Sequence, residues 1–153
     1  MASQKELDRV YMEMAISMST LSHGVRAKVG AVAVTSNGVV ITGVNGLPKQ
    51  LGNQLEHVRE TLDGIFEYYE SKTTVIHAEN NILVKCAREG VSMLGSTVYV
   101  TLSCCDHCAS MLIASGVKRV VYLDEYRDVN GIKTLIDSGI IVDKYALTQL
   151  GED

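Results

Sequence analysis

Between residues 73 and 144, short β-branched runs alternate with helical stretches that stop at glycine, and this alternation constrains the fold more than any other feature of the chain. Thr97 to Thr101, Arg119 to Leu123 and Ile140 to Lys144 read as strands. Residues 77 to 88, 106 to 114 and 129 to 137 read as helices that end at or near Gly90, Gly116 and Gly139. Strands separated by helices pair in parallel and need helices on their faces, so the second half predicts a parallel portion of a sheet with covering helices. Upstream, the spacing of Val10, Met14, Met18 and Leu21 predicts a helix over 4–22. Val29 to Thr35 and Val39 to Val44, joined by Ser36-Asn37-Gly38, predict an antiparallel hairpin. Residues 45–53, with Asn45-Gly46 and Pro48, predict a loop. Leu51, Leu55, Val58, Leu62, Ile65, Phe66 and Tyr69 then recur at three- and four-residue spacing, which predicts a further helix within 53–70. The expected architecture is α/β, a three-layer α/β/α sandwich around a mixed five-stranded sheet, in one domain over residues 1–153.

The chain's 153 residues suffice to bury a core without disulfides. A formal charge of −4 and a pI near 5.5 argue against a broad basic face for a nucleic-acid polymer and favour a small ligand. The N-terminus lacks the basic start and apolar run of a signal peptide, and every apolar stretch falls short of the ~20 residues of a membrane helix. Of the four cysteines, Cys104, Cys105 and Cys108 are crowded where long-range bridges are hard to make, which suits a reducing, cytoplasmic compartment.

The chemistry concentrates in His77-Ala78-Glu79 and, 28 residues after His77, Cys105-Asp106-His107-Cys108. Both motifs open a predicted helix that follows a strand, where backbone amides point outward and the dipole favours negative charge. Cys105 and Cys108 share one side of a first turn, so both sulfurs can reach one ion about 2.3 Å away. One imidazole and two thiolates suit zinc. Three protein ligands leave a tetrahedral ion one open position, where water is ionised near neutral pH, and a carboxylate two residues from the imidazole suits proton transfer.

Plainer readings stand beside this one. Cys-x-x-Cys also serves redox pairs and structural zinc corners, and Cys104 or His107 offers a fourth ligand for the latter. His77 alone is an ordinary capping or core histidine, and Glu79 alone complements a helix dipole. Cys86 reads as a buried small hydrophobe, and His23 and His57 as surface or capping residues.

The pattern His-x-Glu followed by Cys-x-x-Cys resembles that of the zinc-dependent cytidine and deoxycytidylate deaminases. Val29-Gly30-Ala31-Val32, Gly43-Val44-Asn45-Gly46-Leu47-Pro48, Ile76-His77-Ala78-Glu79-Asn80-Asn81 and Val98-Tyr99-Val100-Thr101-Leu102 resemble segments of the deoxycytidylate branch, in order, over about residues 7–145. The resemblance implies a hydrolase that converts dCMP to dUMP and ammonia, with one zinc per subunit held by His77, Cys105 and Cys108 and with Glu79 as proton carrier. It implies substrate contacts from Asn45, from the Ala78 backbone amide, and from Arg26, Tyr126 and Arg127, the two arginines toward the phosphate; Lys28 and Lys49 are the other basic residues near the expected loops. It also implies homo-oligomers, often hexamers, and dCTP and dTTP as effectors. Cytidine, cytosine, guanine or tRNA adenosine deamination, and a non-catalytic zinc-stabilised nucleotide-binding scaffold, are the alternatives. One departure is plain: Cys104 stands where the family has proline before its first ligand cysteine.

Overall fold

Ser3 and Glu6 start the first helix by reciprocal capping: the Ser3 hydroxyl accepts from the Glu6 amide at 3.2 Å and the Glu6 carboxylate from the Ser3 amide at 2.6 Å. In the computed structural model, which describes residues 1–146, this helix, α1 (Gln4–Ser19), is followed by β1 (Gly30–Val34) and β2 (Val40–Val44). A short 3₁₀ turn (Lys49–Leu51) precedes β3 (Glu56–Glu60) and β4 (Glu67–Ser71). Then come α2 (Ala78–Glu89), β5 (Thr97–Leu102), α3 (Asp106–Ala114), β6 (Arg119–Asp124), α4 (Asn130–Asp137) and β7 (Ile141–Lys144).

Five strands form one sheet in the order β2-β1-β5-β6-β7, antiparallel from β2 to β5 and parallel from β5 to β7. Alternation along the strands sorts the side chains into two cores. Ala31, Ala33, Val98, Val100 and Val120 pack against Ile82 of α2, Leu112 of α3 and Leu135 of α4. Val32, Tyr99 and Val121 pack against Met12 and Ala15 of α1. Burying a side chain such as Ile82 or Leu112 contributes roughly 2 kcal/mol, so the face carrying three helices supplies most of the core energy. The expected three-layer α/β/α sandwich with a mixed five-stranded sheet is the observed fold.

Two glycines let helices approach the sheet. A Cβ on Gly30 would lie 2.0 Å from the Ala15 carbonyl oxygen, and one on Gly43 would lie 2.4 Å from that of Ala78. The second approach seats the first turn of α2 on β2.

The helix expected within 53–70 is absent; β3 and β4 form a separate antiparallel hairpin there, with Val58 opposite Tyr69. Its turn is built on Asp63, whose carboxylate accepts from the Ile65 amide at 3.0 Å, and on Gly64 at φ 70°. The three- and four-residue apolar spacing arises because the sequence crosses a turn. The apolar residues share no buried face: Leu62, Ile65 and Phe66 are all exposed.

Candidate active site

β5 and β6 run parallel and end at one edge of the sheet, where antiparallel β1 begins and β2 ends. The loops after β2, β5 and β6 therefore gather at one place, and α2 and α3 start beside it. His77 is the N-cap of α2 and Cys105 the N-cap of α3, both with extended backbone and neither using its side chain as a cap. Their donor atoms are free to turn outward. Cys108, one helical turn into α3, is buried beneath them.

The metal-ligating atoms of His77, Cys105 and Cys108 lie within 4.8 Å of one another, the one such group among the described residues. His77 Nδ1 is 3.2 Å from the Cys108 sulfur and 3.6 Å from the Cys105 sulfur. Tetrahedral zinc, with bonds of about 2.0 Å to nitrogen and about 2.3 Å to sulfur, needs N···S spacings of about 3.6 Å. The donor set fits such an ion in chemistry and in spacing. Cys104 is buried outside the group, its thiol pushed up to about 12 by burial, and His107 is exposed and outside it too.

The hydrogen bond from Cys108, with another from His77, holds Cys105 down to about 3, while Cys108 is driven up by that same bond and by burial. His77 is raised, chiefly by its bond to Cys105. A divalent cation would replace these protons, leaving both sulfurs as thiolates. Glu79 is 3% exposed, and burial pushes its carboxyl up to about 7. An acid poised there can hold or release a proton near neutrality.

Above these groups opens a cleft of about 580 Å³. Arg26, Asn45, Ala78, Glu79, Tyr126 and Arg127 all line it, together with His77 and Cys105. The Ala78 amide belongs to the first helical residue and has no intrahelical acceptor.

A family model of the cytidine and deoxycytidylate deaminase zinc-binding region matches residues 5–124. The chain belongs to this deaminase family. Deoxycytidylate deaminase of Mycobacterium phage D29 is 34% identical over 128 residues, which span 80% of this chain and 98% of that protein. The Saccharomyces cerevisiae deoxycytidylate deaminase is 28% identical over 93% of this chain, which spans only 46% of its length. The crystal structure of dCMP deaminase from the cyanophage S-TIM5 in complex with dCMP and dUMP superposes with a TM-score of 0.78, at 36% identity, over 94% of this chain and 100% of that one.

Within the family frame, the four basic residues separate. Arg26 and Arg127 line the cleft, whereas Lys28 and Lys49 are exposed away from its lining. Arg127 stacks over the Tyr126 ring at 5.8 Å, and the Tyr126 amide donates to the buried Ser103 hydroxyl at 2.7 Å, which fixes that loop over the site. Asn45 spends both ends of its amide on the protein: Oδ1 accepts from the Val29 amide at 2.9 Å and Nδ2 donates to the Ala27 carbonyl at 3.0 Å. One amide hydrogen and one lone pair remain for a ligand.

Sequence reasoning did not find Glu56, Ser71 and Lys72, which line the cleft from the β3–β4 hairpin, because their segment read as helix. The signal that could have found them is the Asp63-Gly64 pair, a hairpin-turn dipeptide in the middle of that segment. Nor did it find Ser103, whose position one residue past β5 was the available sign. No helix among the described residues is long and apolar enough to cross a membrane.

Proposed function

We propose that the chain catalyses hydrolytic deamination of dCMP to dUMP and ammonia. The observation that carries this is the coincidence, in one cleft, of the His77–Cys105–Cys108 donor set, a buried carboxyl at Glu79 and two arginines at the wall. A phosphate-bearing cytosine nucleotide presents the complementary groups: an aminopyrimidine for the first two and a dianion for the third. The relatives named deoxycytidylate deaminase support the same substrate.

In this reading His77, Cys105 and Cys108 hold one zinc ion per subunit. Bound there, zinc supplies Lewis acidity that makes water nucleophilic near neutral pH. Glu79 takes one proton from the water as its oxygen adds at C4 and gives it to N3, then takes the second proton from the resulting C4 hydroxyl and gives it to the amine, so that the C4–N bond breaks, ammonia leaves and the C4 carbonyl of uracil forms. The Ala78 amide donates to the cytosine O2, and Asn45 offers its remaining hydrogen to the sugar or base edge. Tyr126 walls the base while Arg26 and Arg127 face the phosphate. Family membership supports homo-oligomers, a hexamer among them, dCTP and dTTP as effectors, and a cytoplasmic enzyme.

Ammonia release from dCMP, deoxycytidine, cytosine, guanine and tRNA tests the substrate. Turnover of dCMP should exceed that of deoxycytidine by at least tenfold, since a charge-assisted arginine contact is worth roughly 1.5–3 kcal/mol. Equal turnover of the two would refute the phosphate assignment, and inactivity on all of them would leave the scaffold.

A further inference from the structure

Arg26 stands in an exposed segment, residues 25–28, that belongs to no helix or strand. The segment is gripped from two sides. Asn45 holds Ala27 and Val29, as described, and Glu56 holds Val25 and Arg26: its Oε1 accepts from the Val25 amide at 2.8 Å and the Arg26 amide at 3.1 Å. The Arg26 guanidinium in turn donates to the Ser71 hydroxyl at 3.3 Å. Both Glu56 and Ser71 come from the hairpin, one at the start of β3 and one at the end of β4.

Glu56 is 5% exposed and lines the cleft. A buried carboxylate beside an anion site is unfavourable for the anion unless something absorbs its charge. The two backbone amides do so, and among the described residues no other side chain accepts from the Arg26 amide. We infer that Glu56 is a positioning residue for the nucleotide phosphate: it fixes the Arg26 backbone so that the guanidinium faces the cleft, and thereby makes the β3–β4 hairpin a determinant of nucleotide over nucleoside binding. The inference rests on the proposed reading of Arg26 as a phosphate contact.

The measurable quantity is the phosphate increment, the ratio of the Kd of deoxyuridine to that of dUMP, obtained by titration of the zinc-loaded protein and independent of turnover. Glu56→Ala should reduce the increment about tenfold with deoxyuridine affinity unchanged. Glu56→Gln, which keeps a carbonyl acceptor for both amides, should restore it. In an Arg26→Ala background Glu56→Ala should cost nothing further. Ser71→Ala, which leaves the buried carboxylate alone, should lower the increment less but in the same direction, and keeps the test decisive where Glu56→Ala does not fold. Equal losses for deoxyuridine and dUMP, additive costs in the double variant, or an unchanged increment in Ser71→Ala when Glu56→Ala is unfolded would each overturn the inference. An increment lost in Arg26→Ala but kept in Glu56→Ala would overturn it while sparing the phosphate reading. An increment unchanged in Arg26→Ala would remove both.

Discussion

Glu79 stands second in α2, two residues from an imidazole and beneath the cleft, and its surroundings make it nearly dry. Desolvation favours the neutral carboxyl, which is why this acid sits near 7 and not in the ordinary carboxylate range. Glutamine at this position keeps the volume and the polarity but cannot exchange a proton. Glu79→Gln should therefore lower kcat by about 10²–10⁴, with zinc content and thermal unfolding retained. Steady-state ammonia release beside metal analysis checks this. Loss of zinc together with activity would show Glu79 to be a structural support of the donor set.

At the scale of elements, the site depends on how closely α2 and β2 approach. Gly43 permits that approach, since a Cβ there would lie 2.4 Å from the Ala78 carbonyl oxygen and 2.9 Å from Ile82 Cγ1. Neither atom is the end of a mobile side chain; one is helix backbone and the other lies in the core. Gly43→Ala should shift the first turn of α2, which carries His77, Ala78 and Glu79, and so lower zinc content per subunit and kcat together although it replaces no ligand. Metal analysis after dialysis against a weak chelator would show it, and full zinc retention would mean that the helix yields without disturbing His77. The same geometry explains what was legible beforehand. His77, Glu79, Cys105 and Cys108 owe their juxtaposition to two helix starts, each announced by its own local motif, and the strand-helix alternation brings those starts to one sheet edge. Glu56, Ser71 and Lys72 reach the cleft through a hairpin that overlaps a run of seven apolar residues, Leu51 to Tyr69, at helical spacing, while the feature that decides its structure, the Asp63-Gly64 turn, lies inside that run. Asn45 was legible as a residue near the ligand, but its grip on Ala27 and Val29 depends on a contact across 16 or more residues that no local pattern encodes.

Across the whole molecule, the face opposite the site is tied together by one carboxylate. Asp8 of α1 receives both terminal nitrogens of Arg119 at 2.8 Å, the Tyr99 hydroxyl at 2.6 Å and the Gln4 amide at 2.8 Å, and Arg119 extends the chain to Asp143 at 2.9 Å. The network joins α1 to β5, β6 and β7, with the Asp8 and Arg119 side chains 14% and 16% exposed. Burial raises the Asp8 carboxyl, but the hydrogen bonds from Arg119, Tyr99 and Gln4 outweigh it and leave its pKa lowered. A carboxyl lowered on folding contributes stability that is complete above its unfolded value of about 3.9 and is lost as pH falls through the folded value. Asp8→Asn keeps the size and one acceptor but removes the charge that Arg119 pairs with. At pH 7 it should cost about 2 kcal/mol of unfolding free energy, and the deficit relative to the unsubstituted chain should shrink as pH falls below about 4. Urea unfolding at both pH values, with both proteins stripped of metal so that acid release of the ion does not enter, measures the difference. A deficit of equal size at the two pH values would assign the loss to packing of α1 and not to the ion pair.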